Sequence, residues 1–229
     1  MTLTVDVLRH NPLFASVSDH GLELIYRLAA PHHYRKGEIV FSEQDEAECV
    51  HLVAEGLVKI YCLADDGREK VLSFVGPGEI IGEMALFTGN VRSATAQALE
   101  PTTTLVIYNS AFQQLLEEHG QIAVEIIRVL SNRLQQTNMQ VMDVVFRDAR
   151  SRLINALVLL GERFGTSERG AIRITVRLTH QELASMVGTA RETVSRILAE
   201  LQSRGFLEVS DRRLVITDMA ALRSQREID

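Results

Sequence analysis

Three stretches of this 229-residue chain carry side chains whose types and spacing could do chemistry. The first is Gly82-Glu83-Met84-Ala85-Leu86-Phe87, followed after Thr88 to Val91 by Arg92-Ser93-Ala94. A helix-like turn over Ile81 to Phe87, opened by glycine, would leave backbone N–H groups aimed at an anion. Arg92 adds a planar fork suited to phosphate, Ser93 a hydroxyl, and Glu83 a carboxylate able to accept from sugar hydroxyls. On spacing alone the plainer arrangement, Glu83 paired with Arg92, is the stronger reading. The second stretch runs from Thr179-His180-Gln181-Glu182 to Thr189-Ala190-Arg191-Glu192, two threonine-to-glutamate capping boxes that each predict a helix start. Leu183, Ala184 and Val187 make an inner face between them, Gly188 supplies the turn, and Val194, Ile197, Leu198 and Leu201 recur at helical spacing in the second helix. The opposite face of that helix carries Arg191, Glu192, Ser195, Arg196 and Gln202. Arginine can grip guanine and glutamate can accept from cytosine, which suits reading of the major groove of double-stranded DNA. The third feature is Thr137, a hydroxyl set into an apolar seam, where it costs stability unless something hydrogen-bonds to it and so invites a ligand.

That seam belongs to the element that must hold the rest together. From Ser110 to Val145 the pattern predicts a single long helix, with Ile127, Leu130, Leu134, Val141 and Val144 at alternating steps of three and four and Thr137 in the slot between. The length and the polar flank of Arg133, Gln135, Gln136, Asn138 and Gln140 favour the same helix of a second copy as its partner, giving a homodimer. Before it, from Pro31 to about Tyr108, short β-rich runs alternate with turn signals at Lys36-Gly37, Glu55-Gly56, Asp65-Asp66-Gly67 and Gly76-Pro77-Gly78. Strand-length runs lie at Ile39 to Phe41, His51 to Ala54, Leu57 to Cys62, Val71 to Val75 and Thr103 to Ile107, which suggests an antiparallel barrel or jelly roll. Asp6 to Ala29 reads as short packing helices. After the long helix, Ala149 to Phe164 repeats a helical pattern and Gly165 to Gly170 reads as a surface loop. Phe206 to Val209 and Leu214 to Thr217, joined through Asp211-Arg212, read as a wing hairpin with Arg212 and Arg213 near phosphate.

Composition narrows the classes. No apolar run reaches the length of a membrane span, and Met1 to Arg9 lacks the basic start and apolar block of a signal peptide, so the expectation is a soluble cytoplasmic protein without a membrane partner. Cys49 and Cys62 have neither metal-ligand spacing nor disulfide density and read as two buried free thiols. The net charge of -6 argues against general coating of nucleic acid. From Gly165 onward, however, the chain carries ten Arg, no Lys and nine acidic residues, so any DNA contact must be local.

The order Gly82-Glu83-Met84-Ala85-Leu86 with Arg92-Ser93-Ala94 resembles the phosphate-binding cassette of cyclic-nucleotide-binding domains. The likeness runs on through Arg133-Leu134-Gln135-Gln136-Thr137 and Arg191-Glu192-Thr193-Val194 with Arg196, and is to the CRP/FNR family of bacterial transcription regulators, in particular its cyclic-AMP receptor branch. The resemblance implies an α+β chain: a cyclic-nucleotide-binding β-roll, jelly-roll-like, over 1–109, a dimerisation helix and hinge over 110–146, and a winged helix-turn-helix over 147–229. It implies cyclic AMP as allosteric effector, with Glu83 holding the ribose, Arg92 and Ser93 the cyclic phosphate, and Gly82 and Met84 in the same cassette. Leu72 and Ser73 would border the nucleotide, Arg133 would steady Glu83, and Thr137 would meet the adenine. Asn138 stands where some members carry a serine reaching from the opposite subunit, and Gln44 where the family often has glycine. Thr179, Gln181 and Thr189 join Arg191, Glu192, Ser195, Arg196, Arg212 and Arg213 as DNA-contact positions on TGTGA-like half-sites, with RNA polymerase as a further partner.

Other classes fit less well. A metal-dependent cupin needs a histidine cluster with a carboxylate, and His32-His33 with a lone His51 lack HxH spacing. Nucleophile-elbow, Walker and Rossmann patterns are missing, so the chain reads as no enzyme. An iron-sulfur sensor needs more than two cysteines, and the intact cassette gives the pocket an occupant other than haem. The competing expectation is a family member that binds DNA without an effector and keeps the cassette as a relic.

Overall fold

Val50 and Leu52 are buried on one side of strand β3 (Cys49–Glu55) while His51 and Val53 are buried on the other, as expected of a strand covered on both faces. The computed structural model describes residues 6–9, 14, 17–168, 170–210 and 213–225. The chain divides into two compact units, Met1–Cys62 with Leu72–Gln136 and Leu63–Val71 with Thr137–Asp229.

In the first, one sheet runs in the order β1 (Ala30–Tyr34), β8 (Thr102–Tyr108), β3, β6 (Ile80–Ile81). A second sheet has the order β2 (Ile39–Phe41), β7 (Thr95–Ala98), β4 (Val58–Leu63), β5 (Glu69–Val75). Pairing is antiparallel at β1–β8, β3–β8, β3–β6, β2–β7 and β4–β7. Val53, Val58, Val75, Ile81 and Ala96, drawn from both sheets, share one core with Phe41 packed against it. Across the first sheet, Val50, Leu52, Leu105 and Ile107 pack with residues of four helices, among them Leu8 of α1 (Asp6–Arg9), Leu22 and Ile25 of α2 (Asp19–Leu28), Phe112 of α3 (Asn109–Glu118), and Ile122 and Ile126 of α4 (Gly120–Phe146). The β-roll anticipated from the turn-punctuated runs is present.

The long helix is not one piece. Asn109 to Phe146 forms two helices, α3 and α4, with His119 between them at φ -129 and ψ 70. Gly120, with no side chain to hold helical geometry, marks the break. Within α4, Ile127, Leu134, Val141 and Val144 are exposed, whereas Leu130 turns to pack on the first unit's core rather than joining them. The turn at Ser42 to Asp45 forces Gln44 to φ 72, the left-handed conformation that glycine adopts freely and that costs other residues about 1–2 kcal/mol. Cys49 and Cys62 are free thiols but only half-buried.

The second unit packs α5 (Ala149–Phe164), α6 (His180–Val187), α7 (Arg191–Ser203) and α8 (Met219–Ser224) with the sheet β11 (Leu207–Ser210), β12 (Arg213–Ile216), β10 (Ala171–Ile174), β9 (Gly165–Glu168). Leu153, Leu157, Leu183, Val194, Ile197, Leu201, Leu207 and Ile216 are buried there. Asp148 opens α5 by accepting from the Ser151 N–H at 2.7 Å, so the chain leaves α4 and re-enters a helix within two residues. The stretch Gly165 to Gly170 is not an unstructured loop: Gly165–Glu168 pairs with Ala171–Ile174, and its exposed, polar residues, with no apolar alternation, hid that edge strand. β11 pairs with β12 as the wing; Asp211 and Arg212, between the two strands in sequence, lie outside the described residues.

Candidate functional site

Gly82 adopts φ 82 and ψ 3 and begins a 3-10 turn over Glu83–Leu86. The positive φ at Gly82 favours glycine, and a Cβ there would also crowd the Arg92 guanidinium. That turn sets Glu83 inside the unit, 0 % exposed. Its Oε1 accepts from Arg133 Nη1 of α4, and Arg133 Nη2 donates to the Ile80 carbonyl at 2.6 Å. Oε2 is buried with no partner. Burial pushes the Glu83 carboxyl up, against the lowering pull of the Arg133 guanidinium.

Arg92 does not pair with Glu83. Its side chain is 3 % exposed; Nη1 donates to the Gly82 carbonyl at 3.0 Å and Nη2 to the Cys49 carbonyl at 2.7 Å. The guanidinium lies over the Phe41 ring at 4.2 Å, and its buried Nε–H has no acceptor. Ser93, next along, is exposed, with Oγ 3.9 Å from Met84 Sδ. Gly82, Glu83, Met84, Arg92, Ser93 and Arg133 thus come together. Leu72 and Ser73 lie on β5, Leu72 exposed and Ser73 partly so. Thr137 and Asn138, exposed on α4 one turn beyond Arg133, fall in the second unit. Of the residues that back Arg92, Phe41 had no signal in the sequence beyond its strand run, and Cys49 none beyond its reading as a free thiol.

A buried carboxylate oxygen lacking a donor, and a buried guanidinium N–H lacking an acceptor, are costly unless a ligand completes them. The complement is a small molecule with hydroxyls and an anionic oxygen, and these residues fit such a ligand. Among the described residues no group of His, Cys, Asp and Glu could hold a metal ion, and no helix is long and apolar enough to cross a membrane.

In the second unit, α6 carries the anticipated capping box: Thr179 Oγ1 accepts from the Glu182 N–H at 3.2 Å and the Glu182 carboxylate accepts from the Thr179 N–H. The box at Thr189 does not form. Helix α7 starts at Arg191, which puts Ala190 rather than Thr189 at the cap position with no side-chain bond, while the Gly188 and Thr189 N–H groups close α6 on the Ala184 carbonyl at 2.9 and 3.1 Å. Arg191, Glu192 and Arg196 project from α7 into solvent, and Thr179 and Gln181 are exposed at the start of α6. Ser195 is engaged within the unit: its Oγ donates to the Arg191 carbonyl at 3.0 Å and meets His180 Nδ1 at 2.7 Å. Arg213 on β12 is half-buried with an unpartnered Nε.

Comparison with known proteins agrees with both units. Residues 31–119 match the family described as cyclic nucleotide-binding domain, and residues 151–225 the Crp-like helix-turn-helix domain. A CRP-like cAMP-activated global transcriptional regulator of Mycobacterium tuberculosis is 30% identical over 95% of this chain and 97% of its own. The structure of a CooA mutant from Carboxydothermus hydrogenoformans superposes with a TM-score of 0.80 at 28% identity, covering 95% of this chain and 96% of that one. The c-di-GMP responsive global regulator CLP of Xanthomonas campestris superposes with a TM-score of 0.71 at 29% identity, covering 86% and 99%. With a paired β-roll, a glycine-opened cassette and a capped helix-turn-helix all in place, the chain belongs to the CRP/FNR family of DNA-binding transcription regulators, built from a cyclic-nucleotide-binding domain and a Crp-like helix-turn-helix domain.

Proposed function

We propose that the chain is a homodimeric regulator that cyclic AMP switches onto palindromic DNA with TGTGA-like half-sites. The observation that carries the effector is the pair of incomplete polar groups in the cassette: Glu83 Oε2 wants a donor, as a ribose hydroxyl is, and Arg92 Nε–H wants an acceptor, as a cyclic phosphate is. Ser93 adds a hydroxyl to the phosphate side, Gly82 and Met84 line the turn, Leu72 and Ser73 border the nucleotide, and Thr137 and Asn138 meet the base. The relative from Mycobacterium tuberculosis is described as cAMP-activated, which supports the same effector here.

The dimer rests on α4. Ile127, Leu134, Val141 and Val144 stand exposed along one face, an apolar stripe that a second copy of the helix would cover. On DNA, Arg191 and Arg196 read guanines, Glu192 reads a cytosine, Thr179, Gln181, Thr189 and Ser195 support the approach of α6 and α7, and Arg212 and Arg213 meet phosphate. A chromosomal target sets the protein in the cytoplasm with RNA polymerase as its downstream partner.

Calorimetric titration with cyclic AMP tests the effector. Arg92→Ala should cost about 3 kcal/mol, roughly a hundredfold in affinity, by removing the charged donor from a partly dry pocket. Equal affinity in wild type and variant removes Arg92 from phosphate binding. No affinity in either favours the second reading, an effector-independent regulator with a relic pocket, which the seating of both Arg92 terminal nitrogens on backbone carbonyls makes worth separating.

A further inference from the structure

The nucleotide reading leaves unexplained why Arg92 is so completely enclosed. Its two terminal nitrogens sit on carbonyls, and one of these, the Cys49 carbonyl, belongs to β3. On the same strand His51 stands two residues on and therefore on the same face as Cys49, with Nε2 3.5 Å from the Cys49 thiol and Nδ1 3.2 Å from Thr104 Oγ1 of β8. The His51 ring lies tilted against Phe41 at 5.6 Å, and the Arg92 guanidinium lies over the same Phe41 ring at 4.2 Å. Thr104 itself is fully buried, which fixes His51 from behind. The order Thr104, His51, Phe41, Arg92 is a stack of side chains leading from the interior of the first sheet to the arginine, and Cys49 closes its side with Sγ 3.7 Å from Arg92 Nη2. Burial and the adjacent Arg92 charge hold His51 neutral, so it supports the guanidinium without repelling it.

We propose that Phe41, Cys49 and His51 form a seat that fixes the Arg92 guanidinium by one ring face and one carbonyl, leaving its buried Nε–H as the donor kept for an anionic oxygen of the effector. This rests on the nucleotide reading for the identity of the anion, but the seat itself is a property of the free protein. Phe41 and His51 are positioning residues: they act on the ligand through Arg92 and touch it nowhere themselves. Their value is preorganisation, since a guanidinium already held in one orientation loses less freedom when the anion arrives.

The test uses full-length protein and the variants Phe41→Leu and His51→Ala, with His51→Gln as the conservative control and thermal melts to confirm folding. In ligand-free protein, proton exchange at the Arg92 Nε–H, read by nitrogen-15 NMR, should accelerate in Phe41→Leu and His51→Ala and less in His51→Gln. Cyclic-AMP affinity should fall about tenfold in Phe41→Leu, between the scales of an exposed and a desolvated cation–π contact. The same substitution should cost nothing more in an Arg92→Lys background, and weak binding of adenosine, which has no phosphate, should not change. Unaltered Nε–H exchange in both variants overturns the seat, as does an equal loss of affinity in the wild-type and Arg92→Lys backgrounds. Wild-type protein that binds no cyclic AMP, while the variants still speed exchange, would remove the nucleotide reading and uphold the seat.

Discussion

His51 is 4 % exposed and its pKa is depressed to about 3, first by burial and then by the charges of Arg92 and His32. The folded protein therefore keeps this imidazole neutral where an unfolded chain, with an ordinary value near ~6.5, takes up a proton. Above that unfolded value neither state is protonated and the stabilising difference is fully present. As pH falls from about 6.5 towards 3 only the unfolded state gains the proton, so stability drops by about 1.4 kcal/mol per pH unit at most. Urea unfolding at pH 7 and pH 5 should show this loss, and His51→Gln should shrink it; an identical pH slope in the variant would mean that other groups govern it. Glu83 illustrates the opposite use of burial. Its enclosed carboxylate is matched at one oxygen by Arg133 and left open at the other, which is a poor arrangement for stability and a good one for a ligand with a hydroxyl.

Helices α6 and α7 share a sequence signature but differ in how they begin. Thr179 closes a complete capping box, so Thr179→Ala should destabilise the second unit by about 1 kcal/mol, whereas Thr189→Ala, with no cap bond to lose, should stay within about 0.5 kcal/mol. Chemical denaturation of the two variants decides it, and equal losses would mean that Thr189 supports the turn in another way. The signature misleads at Thr189 because a Thr-x-x-Glu spacing does not record where the turn after α6 lets the next helix begin, and α7 begins with Ala190, not Thr189, at the cap. Strands were readable where runs of β-branched and apolar residues bounded by turn signals mark them: β2 was found with its own bounds, and β3, β4, β5 and β8 within two residues. β1 (Ala30–Tyr34), which carries Pro31 and is largely exposed, and β9, exposed throughout, follow no hydrophobic pattern and went unseen. The cassette at Gly82 was legible through its resemblance to cyclic-nucleotide-binding domains, since spacing alone favoured a Glu83–Arg92 pair and Arg92 instead donates to backbone carbonyls. The seat of Arg92 was not, since Phe41, Cys49 and Thr104 reach it from three separate strands and only folding makes them neighbours.

At the level of the molecule, the uncovered side of α4 is the feature that one chain does not explain. Leu134, 63 % exposed, lies between Ile127 and Val141 on that face. Leu134→Asp would bury an unpaired charge in each half of a homodimer and should give monomers by sedimentation at micromolar concentration, with weak DNA binding. A monomeric wild type would end the homodimer reading. A dimer with one α7 helix per subunit should span half-sites about one helical turn apart, roughly 34 Å. If cyclic AMP and DNA favour the same conformation, each must raise the affinity for the other by the same factor. The decisive measurement is therefore fluorescence anisotropy of a labelled TGTGA palindrome, titrated with protein in the presence and absence of saturating cyclic AMP at fixed salt. Binding should tighten at least about tenfold with the nucleotide, a coupling within the usual allosteric range, and should be lost when the half-sites are moved by half a turn. Equal affinity with and without cyclic AMP, at either spacing, would contradict a nucleotide-switched reader of palindromic DNA.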